Sequence, residues 1–163
     1  MSLSELPEIS TTALLLPLLA IAVVSDMASR RVPNVLVVII LGCGLVAQTI
    51  AVFPGGIVWS LGGALLGFLV LLPFYAFGGM GAGDVKLLAA AGSFLGPAGV
   101  LLAGVVTLVA GGVLALGVLA WRSLRALPLA ARPGSQLPAA PAEIYLPYSL
   151  AIFAGASAVI VPW

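Results

Sequence analysis

DVKLLAAAGSFLG, Asp84 to Gly96, is the stretch on which the fold turns. It opens with a carboxylate and a lysine, runs apolar, and stops at Gly96-Pro97, a pair that breaks helices. Its 13 residues make about 20 Å of helix at about 1.5 Å per residue, against a bilayer core of about 30 Å. As a span it is short. Either its helix begins earlier than Asp84, or it is a short helix that is buried or sits in thinned membrane.

Composition sets the context. The chain has 163 residues, 63% hydrophobic and 7% charged, with a mean hydropathy of +1.30. A soluble domain is roughly 25% charged, so a surface made from these residues faces lipid, and the class is membrane protein. There is no His, and the single Cys, Cys43, lies in an apolar run. That excludes a disulfide framework and a zinc site of Cys and His ligands. Cys43 reads as an inert small hydrophobe facing lipid or a neighbouring helix. A net charge of +1 suggests no nucleic acid or other polyanion as partner.

The spans follow from the uncharged runs and their breakers, at about 20 apolar residues per span. Ile9 to Ser25 is span one. It is preceded by Glu5 and Glu8 and followed by Arg30 and Arg31, the reverse of a secretory signal, so it reads as a retained span with its N-terminus outside. Val32 to Gly83 is uncharged and too long for one span; FPGG at Phe53 to Gly56 divides it into span two, about Val35 to Val52, and span three, about Ile57 to Phe77. Span five is about Ala98 to Trp121 and span six Leu146 to Trp163, with Arg122 to Tyr145 as the one sizeable loop. Counting Asp84 to Gly96 as span four puts Arg30, Arg31, Lys86, Arg122, Arg125 and Arg132 on one side and no Lys or Arg on the other. Basic residues mark the cytoplasmic side. Omitting span four would export three of those arginines, so charge placement itself requires it. The expectation is an all-α polytopic membrane protein, one domain over residues 1–163, with about six transmembrane helices and both termini extracytoplasmic. Gly63 and Gly67, and Gly92 and Gly96, have the GxxxG spacing that lets helices approach closely.

Five residues are acidic. Glu5, Glu8 and Glu143 fall in the outside tail and the loop, where solvation or orientation explains them. Asp26 closes span one and Asp84 opens span four, at one cytoplasmic depth. Ionisable residues at membrane spans are expensive and usually functional. Two carboxylates a few Å apart in low dielectric share one proton. Such a pair can deprotonate a water and protonate a scissile carbonyl oxygen, chemistry that needs no His, Ser nucleophile or metal. The bland alternative is that each Asp caps a helix; Asp84 follows glycine and sits well against a helix dipole. Gly81 and Gly83 permit the close backbone approach of an extended substrate strand. A phosphate-cradling loop fails on spacing, since GGMGAGDVK matches neither GxGxxG nor GxxxxGK[ST].

Gly81-Ala82-Gly83-Asp84-Val85-Lys86 matches the GxGDxK motif, and Asp26-Met27-Ala28-Ser29-Arg30-Arg31-Val32-Pro33-Asn34 matches an Asp followed by a basic residue and a hydrophobic-Pro-Asn turn. With these two segments in this order, nearly the whole chain resembles the type IV prepilin peptidases, the GxGD class of intramembrane-type aspartic proteases. The resemblance implies removal of the leader peptide from prepilins or pseudopilins at the cytoplasmic face of a prokaryotic inner membrane. It implies Asp26 and Asp84 as the catalytic pair, Gly81 and Gly83 as the substrate edge, and Pro33 and Asn34 as a structural turn. Arg30 and Arg31 either attract an acidic residue of the substrate or simply set topology. Lys86 orients the acid, binds lipid phosphate or anchors the cytoplasmic side. No metal or other cofactor is expected. Larger members carry an N-terminal segment, often with a CxxC…CxxC zinc site, and also N-methylate the new terminus. This chain starts almost at its first catalytic span with one Cys, so methylation is not expected and the short type found with Flp/Tad pili is the nearer match. Archaeal preflagellin peptidases share the pair of acids, whereas presenilin-like proteins place a Tyr before the first Asp, where this chain has Ser25.

Two other classes compete. A small proton or ion transporter would use Asp26 and Asp84 as relay carboxylates and needs more polar residues inside its spans; spans two, three and five contain almost none, Gln48 and Thr107 being the main exceptions. A non-enzymatic assembly subunit would need only the glycine faces.

Overall fold

The computed structural model describes residues 6–29, 32–51, 54–130 and 148–160. Five helices follow one another: α1 (Leu6–Ser29), α2 (Asn34–Ala51), α3 (Gly56–Ala76), α4 (Ala82–Ala130) and α5 (Tyr148–Ile160). No strand occurs among the described residues. Asn34–Ala51, Gly56–Ala76 and Ala82–Trp121 are long and apolar enough to cross a membrane, and Leu14–Ala28 and Tyr148–Ile160 are shorter apolar helices. Large apolar side chains such as Val38, Ile50, Val58, Val109 and Leu116 point outward along them. The protein is an all-α polytopic membrane protein.

α4 is not one rod. At Gly96 the backbone has φ 69° and ψ −177°, outside helical space. Across this break Val100 comes within 3.0 Å of where a Cβ on Gly92 would lie, and Leu88 within 3.8 Å of one on Gly104. A straight helix would hold Leu88 and Gly104 about 24 Å apart at about 1.5 Å per residue. The chain therefore doubles back at Gly96, and α4 is a hairpin of two antiparallel arms, residues 82–95 and 97–130. With this reversal the described residues form six helical segments, in line with the six expected from charge placement.

The short first arm is the buried kind. Leu87, Leu88, Ala89, Ala90, Ala91, Gly92, Ser93 and Phe94 are consecutive and all buried. A helix apolar on every face belongs inside a bundle, and the small residues of its middle let neighbours close on all sides. α3 packs on it through the glycine pairs: a Cβ on Gly63 would run into the Gly92 carbonyl oxygen, and one on Gly67 would lie 2.7 Å from the Leu88 carbonyl oxygen. α2 approaches through Gly44, beside Ser93 and Phe94, and α5 packs on the second arm through Gly155, beside Ala103 and Thr107. Leu15, Leu19, Ile40, Leu71, Phe94, Val100 and Ile152 fill the centre.

Gly96 itself can be nothing else. Its φ lies where L side chains are strained, and a Cβ there would collide with the Trp59 indole. The reversal also strips the end of the first arm of helical partners. Gln48, nine-tenths buried on α2, supplies one by donating its Nε2 to the Phe94 carbonyl.

One expectation is corrected. The segment from Arg122 was expected to be loop, but helix continues to Ala130. Leu, Arg and Ala are strong helix formers, and the lack of apolar continuity that ended the span does not end the helix. The remainder of that loop, residues 131–147, lies outside the described residues.

Candidate active site

The end of α1 and the beginnings of α2, α4 and α5 meet at one end of the bundle. Three contacts fasten them. Ser149 Oγ on α5 donates a 2.6 Å hydrogen bond to Asp26 Oδ2 on α1. Lys86 Nζ on α4 donates a 3.1 Å bond to Asn34 Oδ1 on α2. The open face of Gly83 lies against Val32, in the connection between α1 and α2.

Asp26 lies inside α1, one turn before its last residue, and is 3% exposed. Asp84 is half-buried in the first turn of α4. The two carboxyls are within electrostatic range of each other. They come from helices that meet only because α1 and the first arm of α4 reach the same end of the bundle.

The GGMG segment that precedes Asp84 has a local explanation. Gly78 has φ 74°; its N–H donates to the Tyr75 carbonyl at 2.9 Å, and the Gly79 N–H donates to the Phe74 carbonyl at 2.9 Å. That pairing is the Schellman closure of a helix C-terminus, so α3 is stopped by Gly78. Three residues later Gly81 caps the start of α4. The Asp84 N–H donates to the Gly81 carbonyl at 3.2 Å, and the Asp84 carboxyl receives the Gly81 backbone N–H. An acid at the third helical position reaching back to the cap residue is half of a capping box. Asp84 is thus held at the helix start by the glycine before it, and a Cβ on Gly81 would approach its Oδ2 at 3.4 Å.

Of the residues singled out from sequence, Asp26, Pro33, Asn34, Gly81, Gly83, Asp84 and Lys86 come to this one end. Pro33 accepts the N–H of Leu36 at 3.1 Å and of Val37 at 3.3 Å, which makes it the cap of α2. Lys86 and Asn34 are exposed. Arg30 and Arg31 lie outside the described residues. Ser149 is not among the residues singled out from sequence; its one signal is a hydroxyl at the start of the last span, which carries a second serine at Ser157. Gln48 and Thr107 both serve backbone carbonyls, those of Phe94 and, at 2.7 Å, Ala103. Among the described residues, no three His, Cys, Asp or Glu side chains group as metal ligands would. The pair of carboxyls can carry proton transfer, one group giving and the other taking.

The model of the type IV leader peptidase family matches residues 13–116, a stretch that includes both acids and both motif segments. No curated protein and no solved structure matches the chain.

Proposed function

Because the chain belongs to the type IV leader peptidase family, we propose that it is the aspartic endopeptidase that removes the leader of prepilins or pseudopilins, with Asp26 and Asp84 as its catalytic pair. The observation that carries the reading is the electrostatic proximity of these two acids, drawn from helices separated by most of the matched region. In the reaction the ionised member takes a proton from water as its oxygen attacks the scissile carbonyl carbon. The protonated member gives its proton to the carbonyl oxygen, forming a gem-diol. The proton taken from water then passes to the peptide nitrogen as the carbon–nitrogen bond breaks, and a diol proton returns to the second acid. No Ser or Cys nucleophile enters.

The substrate edge is the exposed backbone around Gly81, where the absence of a side chain leaves room beside the Asp84 carboxyl. Arg30 and Arg31 attract an acidic substrate residue near the cut. The site faces the cytoplasm of an inner membrane, supported by the six Lys and Arg that the six-span topology puts on one side. A relay transporter is the weaker reading, since Gln48, Thr49, Ser93 and Thr107 within the spans each donate to a backbone carbonyl.

The test is co-expression with a prepilin and a gel shift for leader loss. Wild type cleaves; Asp26→Asn and Asp84→Asn insert in the membrane at normal level and do not. Normal processing by either variant refutes the pair.

A further inference from the structure

Thr49, Ser93, Thr107, Ser123 and Ser157 each donate their hydroxyl to a carbonyl three or four residues back in their own helix. That is the usual resting place of a hydroxyl within a helix. Ser149 departs from it. It lies in the first turn of α5, and its hydroxyl reaches across the bundle, over a sequence separation of 123, to Asp26 Oδ2. Both partners are buried, Ser149 completely and Asp26 to within 3%. The proton-transfer scheme above does not use Ser149.

A carboxyl on a two-bond stem turns freely unless something holds it. Proton transfer requires the acid in place to within a fraction of an ångström. A short hydroxyl bond to one oxygen fixes the torsion of the carboxyl, and it is strong because the acceptor is an acid in a dry site. We propose that Ser149 is a positioning residue for Asp26, which sets the plane of that carboxyl toward Asp84 and the scissile bond. The proposal rests on the reading of Asp26 and Asp84 as the catalytic pair. It gives the last helix a part in the reaction beyond closing the bundle: α5 carries the hydroxyl, and its seat is fixed by Gly155 against Ala103 and Thr107 and by the Tyr148 ring over Gly111.

The rival role is packing, a hydroxyl that joins two helices as intramembrane hydrogen bonds often do. The two differ in what they predict for size and for kinetics. Steady-state cleavage of a prepilin is measured in membranes for wild type, Ser149→Ala, Ser149→Thr, Asp26→Asn and Asp84→Asn, at matched protein level. Positioning predicts that Ser149→Ala lowers kcat on the order of tenfold with KM within about twofold, and that Ser149→Thr, which keeps the hydroxyl, recovers most of the loss. Packing predicts the reverse order, since Ala leaves the helices in contact whereas Thr adds a methyl to a fully buried place. Should Ser149→Ala accumulate poorly, Ser149→Cys, close in size with a weaker donor, takes its place and should show the same fall in kcat. A wild-type kcat in Ser149→Ala, or a Ser149→Thr no faster than Ser149→Ala, overturns the proposal. If the Asp variants are inactive while Ser149→Ala keeps full kcat, the role of Ser149 alone is lost. If either Asp variant cleaves normally, the catalytic pair is lost, and the role of Ser149 with it.

Discussion

Lys86 and Asn34, 52 positions apart, are joined by a 3.1 Å hydrogen bond from the lysine ammonium to the side-chain oxygen of the asparagine. The bond couples the Gly81 to Lys86 segment directly to the Asp26 to Asn34 segment. It gives Lys86 a partner that the sequence did not indicate. Asn34 is the first residue of α2 and Lys86 the fifth of α4, so the bond holds the start of α4 against the start of α2. Gly83 against Val32 does the same through van der Waals contact. The spacing of Lys86 after Asp84 then reads as geometry: a residue two positions beyond the acid points away from it, toward α2.

Removing this strut should have a moderate effect, because both groups are exposed and water replaces the lost partner. A net hydrogen bond is worth about 1 kcal/mol. Lys86→Ala and Asn34→Ala should each slow cleavage about fivefold, and the double variant should be no slower than the worse single one. Additive losses in the double-mutant cycle would mean that the two residues act separately, with Lys86 serving lipid or topology instead.

Dependence on pH follows from the pair. A catalytic pair of the kind proposed works with one acid protonated and the other ionised: fully protonated it lacks a base, fully ionised it lacks an acid. The plot of kcat/KM against pH should therefore fall on both sides of a maximum. A prepilin cleavage assay in buffered detergent or liposomes gives the profile; a rate that falls toward low pH but stays level toward high pH points to a single base instead.

Gly96 should tolerate no side chain. Its backbone, at φ 69° and ψ −177°, lies in a region that costs on the order of 1–3 kcal/mol for other residues, and a Cβ would also meet Trp59. Gly96→Ala should lower membrane accumulation and detergent melting temperature sharply. Gly112 offers the contrast: it is helical, with nothing within 4 Å of a Cβ, and Ala there should stabilise by roughly 0.5–1 kcal/mol. Trp59→Ala in the Gly96→Ala background should recover only part of the loss, since it removes the collision and leaves the dihedral strain.

The sequence carried much of this because bilayer constraints are simple. Uncharged runs, the FPGG and Gly96-Pro97 breakers and the one-sided lysines and arginines were enough to expect six segments and a short fourth one. What stayed hidden was specific side-chain pairing. Whether Asp84 to Gly96 spans alone or lies buried depends on what surrounds it, and the answer comes from Gly63, Gly67 and Gly44 closing around it. Gly78 stops α3 by a backbone closure that reads, in sequence, like any other glycine of the run from Gly78 to Gly83. Ser149 finds Asp26 from across the bundle, a distance that no local pattern reports. The helix beyond Trp121 was missed because an apolar run ends there, whereas helix propensity does not.

The clearest test of the hairpin's interior compares two polar side chains. Gln48 donates to the Phe94 carbonyl, which lies at the end of the first arm of α4, where the reversal leaves carbonyls without helical partners. Truncating it strands that carbonyl in an apolar site, a loss of about 1–3 kcal/mol. Ser60 is completely buried, and its hydroxyl has no hydrogen-bond partner among the described residues. Ser60→Ala removes a group that gains nothing from its surroundings, so it should leave stability unchanged or raise it, whereas Gln48→Ala should lower it. Neither residue touches the acids, so cleavage per folded molecule should stay near wild type in both. Thermal unfolding in detergent, read beside the cleavage rate, separates the two effects. A Gln48→Ala protein as stable as wild type would show that the Phe94 carbonyl does not depend on its glutamine.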